Sequence, residues 1–221
     1  YKVMAKKKKI TQNDITSWYM DYVLNHNKNP SSVYSFAKEN NFEESLFYNY
    51  YGSFEAIEKG VFNAFFNNTV TLLKNSEDYS EFDSRNKLLS FYSTFFENLT
   101  ANRSYVVHAL AGNKNQLKSM ATLTELKKSF SGYIENLNIQ TIDLKEERLE
   151  KLQLRSLKES AWFQLLVTMK FWLDDTSSSF EKTDIFIEKS VKASFDLIDT
   201  TPLKSIIDFG KFLFKEKIHN N

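Results

Sequence analysis

The spacing of apolar residues along this chain predicts helices almost throughout. Between about residues 10 and 25 the apolar side chains recur every three or four positions, as they do again between residues 53 and 74. A period of about 3.6 residues is typical of amphipathic α-helices with one buried face. The apolar positions that define these two stripes are Ile15, Trp18, Tyr19, Tyr22 and Val23 in the first, and Ile57, Val61, Phe65 and Leu72 in the second.

The segment between these two helices predicts two short helices separated by a tight turn. A turn ending at Pro30 is followed by serines that suit a helix N-cap, and a second helix then extends to Asn40-Asn41. Asparagine tolerates the left-handed conformation, so this pair predicts the helix end. A third helix is expected over about 43–50, and Gly52-Ser53 ends it. This layout is typical of a helix-turn-helix.

The remainder predicts a larger helical domain. Helices are expected at 82–99, 103–111, 115–136, 146–174, 180–199 and 203–218. The chain contains only 5 Gly and 2 Pro, and this scarcity of helix breakers favours an all-α fold. We therefore predict an N-terminal three-helix domain over residues 1–53 and a helical regulatory and dimerisation domain over 54–221.

Charge and composition narrow the classes of function. The 221 residues carry a net charge of +1, but three lysines and seven acidic residues give residues 10–60 a net charge of −4. The basic cluster nearest to this segment is Lys6, Lys7, Lys8 and Lys9. The absence of cysteine excludes disulfides and thiolate zinc sites. No apolar run follows the lysines, so we expect no secretory signal and a cytoplasmic protein.

Residues 15–57 resemble the DNA-binding domain of the tetracycline-repressor-like (TetR) family of bacterial regulators. Ser32-Val33-x-x-Phe36-Ala37-x-x-Asn40-Asn41 is similar to the second helix of that family, with Asn41 where glycine is usual. The segment 42–51 is similar to its recognition helix, with Tyr48 and Tyr51 at the two aromatic positions. Ser53-Phe54-Glu55-Ala56-Ile57 resembles the start of its fourth helix.

The resemblance implies a set of DNA-contacting residues. The family usually carries Lys or Arg and then Gly near Glu44 and Ser45, and Lys at the position of Phe54, where the side chains contact phosphates. Glu43 and Glu44 repel phosphates instead, which weakens the inference of DNA binding. The candidate DNA contacts are Lys6, Lys7, Lys8, Lys9, Ser32, Glu44, Ser45, Tyr48, Asn49, Tyr50 and Ser53. A solvated N-terminal segment is an equally good interpretation of the four lysines.

The resemblance also implies that the second domain senses a ligand and dimerises. The two long helices 146–174 and 180–199 are the candidates for the dimer interface, because two from each subunit would make a four-helix bundle. The candidate interface residues are Leu157, Ala161, Leu165, Thr168 and Trp172 on the first helix, and Phe180, Ile187 and Val191 on the second.

An aromatic interior is the candidate pocket for a small apolar ligand. The candidate lining residues are Phe91, Phe95, Tyr105, His108, Phe130, Tyr133 and Trp162. Plain core packing is the favoured interpretation for most of these aromatic residues, and a hydrogen-bonded buried histidine is the favoured one for His108. The sequence holds no histidine pair with metal spacing and no recognisable catalytic motif, so we expect no cofactor, no metal and no enzymatic activity.

The segment 203–218 alternates apolar residues with lysines and predicts a basic amphipathic helix. We favour its packing on the dimer bundle over its binding to an anionic membrane surface. The resulting hypothesis is a homodimeric TetR-like regulator of double-stranded DNA, modulated by a small apolar ligand. The alternative is an interaction protein of the same fold that has lost DNA binding and that binds a protein, a lipid or a membrane surface.

Overall fold

The computed structural model describes residues 9–110, 116–141 and 145–199. These residues form α-helices and two short 3-10 turns, with no strand in the described ranges, and the predicted all-α fold is confirmed. The helices are α1 (Gln12–His26), α2 (Val33–Glu39), α3 (Glu44–Tyr48), α4 (Phe54–Lys74), α5 (Ser84–Ala101), α6 (Arg103–Leu110), α7 (Gln116–Thr122), α8 (Thr124–Asn136), α9 (Glu147–Asp174) and α10 (Glu181–Asp199).

One predicted helix proves to be two. The sequence pattern predicts a continuous helix over 115–136, but the structure interrupts it at Leu123. The Leu123 amide donates to the carbonyl of Met120, three residues back, at 3.1 Å, and the Thr124 hydroxyl donates to the carbonyl of Ala121. Neither glycine nor proline marks this break, so the hydrophobic period conceals it.

Side-chain caps explain where the first helices begin and end. Thr11 and Asp14 form a capping box at the start of α1, and the Ser32 hydroxyl accepts the Ser35 amide at the start of α2. Asn27 and Asn41 adopt the left-handed conformation, with φ of 51° and 56°. The turn predicted at Asn40-Asn41 is therefore made by Asn41.

The chain divides into two compact units. Unit 1 comprises residues 1–68 and 98–126, and unit 2 comprises residues 69–97 and 127–221. Helices α4 and α5 each contribute residues to both units. The predicted boundary after residue 53 separates a DNA-binding domain from a regulatory domain by function and not by compactness, and it stays a prediction.

The core of unit 1 is built around the ring of Phe36. This fully buried ring makes edge-to-face contacts with five other aromatic rings, at centroid distances of 5.7 to 6.4 Å. Such pairs contribute about 0.5–1.5 kcal/mol each beyond the burial of apolar area. The five partners come from α1, from the turn after α2, from α3 and from α4: Tyr19, Tyr22, Phe42, Phe47 and Phe54.

A second contact fixes α1 against α4. The Tyr51 hydroxyl lies 2.8 Å from the Thr16 hydroxyl in a buried environment, and Gln12 donates to the same oxygen at 3.1 Å. The Tyr51 ring passes so close to Gly60 that a Cβ there would lie 2.9 Å from it. Glycine at this position of α4 therefore admits the ring, at a cost in helix propensity.

The core of unit 2 is a stack of aromatic rings from α5 and α8. Phe91 packs against Phe95, Phe130 and Tyr133 at centroid distances of 5.4, 5.3 and 4.7 Å. The Tyr133 hydroxyl donates to the carbonyl of Lys87 at 3.0 Å, and it lies 2.8 Å from the hydroxyl of Tyr79. Burial raises the pKa of both tyrosines, so the two hydroxyls remain protonated.

Helices α9 and α10 pair along most of the length of α10. Gln164 of α9 donates to Ser190 and accepts from Ser194, both on α10, and the rings of Phe171 and Phe186 stack at 4.6 Å. Side chains of both helices are fully or nearly fully buried between these contacts: Leu165, Thr168, Trp172, Ile187 and Val191.

Asp175 joins the end of α9 to the start of α10. Its buried carboxylate accepts the amide and hydroxyl of Ser177 at 2.8 and 2.7 Å, and the amide and hydroxyl of Thr183 at 2.9 and 2.7 Å. Burial alone raises the pKa of this carboxyl, but the four hydrogen bonds outweigh it and hold the pKa well below its usual range. Neighbouring Asp174 is exposed and pairs with Lys170.

In the ranges described, none of the helices has the length and apolarity of a membrane span. The predicted helix 203–218 lies outside the described residues.

We predict that Asp175→Asn destabilises the protein at pH 7, because an amide cannot accept all four donors and turns an N–H₂ group toward two of them. The folded pKa is depressed, so the stabilisation is fully present above the unfolded pKa of about 3.9 and is lost progressively as the pH falls from there through the folded pKa. The unfolding midpoint of the variant, measured by circular dichroism, should therefore lie below the wild-type midpoint at pH 7, and the difference should begin to narrow as the pH falls below about 4.

The matched control is Asp174→Asn, which removes an exposed ion pair and should change stability by no more than about 0.5 kcal/mol. Equal effects of the two substitutions, or an effect of Asp175→Asn that does not depend on pH, would contradict the capping role.

Candidate functional site

The outward face of α3 consists of Ser45 and Tyr48, together with Asn49, the C-cap residue that follows the helix. These positions are three and four residues apart, which places them on one side of the helix, and all three side chains are exposed. The Tyr48 side chain is 53% exposed, and its hydroxyl lies 3.5 Å from a carboxylate oxygen of Glu44. Phe47, on the opposite side, is fully buried. Side chains with hydrogen-bonding groups therefore project from the second helix of the turn.

The other predicted DNA contacts of this segment, Ser32, Tyr50 and Ser53, differ in their hydrogen bonds and burial. The hydroxyls of Ser32 and Ser53 already cap α2 and α4, accepting the amides of Ser35 and Ala56 at 3.1 and 3.2 Å. Tyr50 is half-buried just after α3. These two serines therefore lie at helix N-termini, and their hydroxyls already accept hydrogen bonds from their own helices.

Acidic residues flank the outward face of α3. Glu43 is exposed and Glu44 is half-buried, while Phe54 packs on Tyr19 and Phe47 at 5.7 and 5.4 Å. Phe54 thus contributes to the aromatic core from a position where the resemblance implies a phosphate contact. One lysine and three glutamates give the segment 31–53 a net charge of −2.

Of the four predicted lysines, Lys9 is described and exposed, and Lys6, Lys7 and Lys8 lie outside the described residues.

The seven predicted pocket residues are divided between the two units. Tyr105 and His108 belong to unit 1, and the other five belong to unit 2. Phe91, Phe95 and Phe130 are fully buried, and the ring of Phe91 packs on the other two, which is the core role that the sequence favours for most of them. Tyr133 is half-buried and hydrogen-bonded to the backbone, and Trp162 is buried.

Unit 1 contains a partly enclosed cavity of about 310 Å³ with a mostly polar lining. It lies among α1, the turn that follows α1, α4, α6 and α7. The polar side chains that line it are Tyr19, Asn29, Glu58, Tyr105, His108 and Thr122. The sequence interpretation singled out two of these, Tyr105 and His108, as candidate pocket residues.

Glu58 is held on one side of this cavity by two donors. The Tyr19 hydroxyl lies 2.9 Å from Glu58 Oε1, and Asn29 Nδ2 donates to the same oxygen at 2.9 Å. Burial, and then the adjacent charge of Glu58, raise the pKa of Tyr19 far above its usual range, so the phenol stays protonated and donates. The sequence signal for this acid is its place beside the apolar positions Phe54, Ile57 and Val61 of α4.

Unit 2 contains an open groove of about 580 Å³ between α8 and α9. Ile134, Leu154 and Leu157 supply apolar surface, and Glu135 and Lys151 lie at the same groove. Leu157, one of the predicted interface residues, lines this groove.

The predicted interface residues lie mainly inside a single chain. Leu165, Thr168, Trp172, Ile187 and Val191 are buried, while Phe180 contacts Trp172 at 5.9 Å and Ala161 is half-buried. Side chains buried within one chain do not reach a second chain, so the hydrophobic period identified the inner face of these helices.

The opposite side of α9 carries an apolar stripe that the sequence interpretation missed. Phe163, Val167 and Phe171 are spaced four residues apart and are exposed, Phe163 to 68%. Phe186 stacks on Phe171 from α10, and Ile185 is exposed beside it. We call these five residues the outer face of α9 and α10. The spacing of four residues was visible in the sequence, but only burial distinguishes the inner stripe from the outer one.

More than half of the chain matches the model of a known protein family. Residues 87–213 match the model described as "Tetracyclin repressor-like, C-terminal domain". No curated protein matches this chain. The matched range includes most of α5 and the whole of α6 to α10, and an all-α domain agrees with that family. The chain belongs to the tetracycline-repressor-like family of regulators.

Proposed function

We propose that this chain is a transcriptional regulator that binds double-stranded DNA as a homodimer, with residues 1–53 contacting DNA and residues 54–221 forming the regulatory and dimerisation domain. The observation that carries the proposal is the outward face of α3, where Ser45, Tyr48 and Asn49 project from the second helix of a helix-turn-helix. A helix presented in this way fits the major groove of B-DNA. Membership of the regulator family supports the same function.

Each side chain of this face has a chemical role in the proposal. Asn49 carries an amide that can pair with both the acceptor and the donor on an adenine edge. The Tyr48 and Ser45 hydroxyls donate to phosphate oxygens or base edges. The capped starts of α2 and α4, at Ser32 and Ser53, bring helix N-termini to the backbone phosphates.

The negative charge of this surface determines which residues can supply affinity for DNA. Phosphate neutralisation supplies most of the non-specific affinity for DNA, and the segment 31–53 carries a net charge of −2. Lys6, Lys7, Lys8 and Lys9 provide four positive charges per subunit, in the manner of N-terminal arms that track the backbone. In this proposal the lysines supply the salt-dependent affinity and α3 supplies the sequence preference.

The same charge favours a second candidate function. Exposed Glu43, together with Glu44, is unfavourable beside phosphates, and Phe54 supplies core packing in place of a cation. A protein of this fold that has lost DNA binding would use its exposed apolar surfaces to bind another protein, a lipid or a membrane surface.

Selection from a random DNA library by the purified full chain separates the two functions. The first predicts enrichment of inverted repeats whose half-site centres lie about one helical turn apart. Removing residues 1–9 should then weaken binding and lower its dependence on salt, with the preferred sequence unchanged. If no sequence is enriched even at low salt, the interaction protein is the better proposal.

The outer face of α9 and α10 is the proposed dimer surface. Apolar side chains exposed in a stripe are characteristic of interaction sites, and two helices from each subunit make a four-helix bundle. The residues proposed for the contact are Phe163, Val167, Phe171, Ile185 and Phe186.

Regulation by a small apolar ligand is proposed for unit 2. The groove between α8 and α9 offers apolar surface from Ile134, Leu154 and Leu157. A ligand that binds one dimer geometry more tightly than another shifts the population between them and so alters DNA affinity.

We predict that Glu44→Lys tightens DNA binding about tenfold and steepens the dependence of log Kd on log salt by about 1.8 for the dimer, since each subunit gains one phosphate contact. Glu44→Gln should give a smaller gain, because it only removes repulsion. Fluorescence anisotropy on a selected site, over a series of salt concentrations, measures both effects.

The control for total charge is Asp196→Lys, which makes the same charge change at an exposed position of α10. If it matches the effect of Glu44→Lys, the gain reflects net charge alone and α3 is not the contact.

We predict that the double substitution Phe163→Glu and Val167→Glu converts a dimer into monomers. Burying uncompensated charge in an interface costs about 3–5 kcal/mol, enough to raise the dimer Kd at least about a hundredfold. The variant should still fold, because both positions are exposed in the single chain, and circular dichroism checks this. Sedimentation velocity gives the mass.

Leu72→Glu is the matched control, since Leu72 is also an exposed apolar residue of unit 2, on α4. A double variant that remains dimeric, or a control that dissociates equally, would contradict the proposed surface.

A further inference from the structure

The polar cavity of unit 1 contains a buried hydroxyl without a partner. Tyr105 of α6 is 1% exposed, it lines the cavity, and its hydroxyl makes no hydrogen bond to the residues that the structure describes. Burial, and then the charge of Glu58, raise the pKa of this phenol above its usual range, so it keeps its proton. An unsatisfied buried hydroxyl is destabilising, and such groups in folded proteins call for an explanation.

Two other groups at the cavity have unused hydrogen-bonding capacity. Within the described part of the chain, the donors to Glu58 bond to its Oε1 atom, and none bonds to Oε2, which can therefore accept from a ligand. The imidazole of His108 lines the cavity and makes no hydrogen bond to the described residues. A carboxylate oxygen, a phenol oxygen and one nitrogen of a neutral imidazole all accept hydrogen bonds, and the phenol and the other imidazole nitrogen each donate one.

The charge around the cavity selects the class of ligand. Glu58 is the acidic side chain of the lining, and neither lysine nor arginine is found among the lining residues that the structure describes. Tyr19 and Asn29 fix the carboxylate by donating to it, and they do not neutralise it. A partly enclosed carboxylate without a cationic partner attracts a cation and repels an anion.

The size of the cavity restricts the ligand further. A volume of about 310 Å³ lies at the lower end of the range of about 300–1,000 Å³ for small-molecule pockets. Val23 and Ala109 add apolar surface to the lining. The ligand would therefore be compact, with one charged end and a small apolar body.

We propose that this cavity binds a small primary ammonium compound, whose N–H groups donate to Glu58 Oε2 and to the Tyr105 oxygen while its apolar body lies against Val23 and Ala109. Such a site lies in the same unit as the helix-turn-helix, and it is separate from the groove of unit 2 proposed for an apolar ligand. The proposal concerns binding alone and does not depend on DNA binding.

Benzylammonium is a suitable probe, with benzyl alcohol and benzoate as its neutral and anionic counterparts. Calorimetric titration of the full chain should show binding of benzylammonium, and neither benzyl alcohol nor benzoate should bind measurably. The unfolding temperature should rise with the concentration of benzylammonium, because a ligand that binds only the folded state stabilises it.

Three variants locate the site. Tyr105→Phe should weaken benzylammonium binding about tenfold, since hydrogen bonds to charged groups are the stronger class, and it should not impair folding because the lost hydroxyl has no partner. Glu58→Gln should abolish measurable binding. Tyr92→Phe is the control, because Tyr92 carries another buried hydroxyl without a partner, and it belongs to unit 2.

Glu58→Gln also disturbs the bonds to Tyr19 and Asn29, so circular dichroism must show that this variant is folded, and Tyr105→Phe decides the matter if it is not. The proposal is overturned if no binding of benzylammonium is detected at concentrations up to about 10 mM, because a Kd above that value is too weak for a specific site. It is equally overturned if benzyl alcohol binds as tightly, or if Tyr105→Phe and Tyr92→Phe have the same effect.

Discussion

The buried ring of Phe36 is the constraint on which the outward surface of the helix-turn-helix depends. It contacts rings from α1, the turn after α2, α3 and α4, so one side chain fixes the directions in which these elements point. Removing a buried Phe ring costs about 3–5 kcal/mol, a large part of the 5–15 kcal/mol that typically holds a folded protein together. Phe47 of α3 is buried in this cluster, so the neighbouring side chains of Tyr48 and Asn49 lie on the outward side.

The helices and their limits were predictable because local rules determine them. The apolar period, the N-cap at Ser32 and the left-handed asparagine at position 41 all lie within a few residues of the feature that they specify. The break at Leu123 escaped prediction because no residue there is a strong helix breaker. The hydrophobic stripes of α9 and α10 correctly identified buried positions, but a period cannot tell whether a stripe packs within the chain or against a partner. Phe163 shows the difference, because it lies off the predicted stripe and remains exposed.

The residues that line the polar cavity could not be predicted from the sequence, for a different reason. Tyr19, Glu58 and Tyr105 come from three helices that are widely separated in the chain, and only the tertiary fold brings them to one cavity. Tyr19 also serves the Phe36 cluster with its ring while its hydroxyl bonds to Glu58. The aromatic core of the helix-turn-helix and the acidic side of the cavity therefore share Tyr19.

The proposed function depends on which surface of the protein contacts DNA. The most direct measurement places a photo-reactive benzophenone side chain at position 48, and in a second protein at exposed position 72 of α4, and irradiates each with the selected DNA. The account predicts DNA crosslinks from position 48 and none from position 72. DNA that is bound yet crosslinks to neither position, or to position 72 alone, would contradict the assignment of α3 as the helix that contacts DNA.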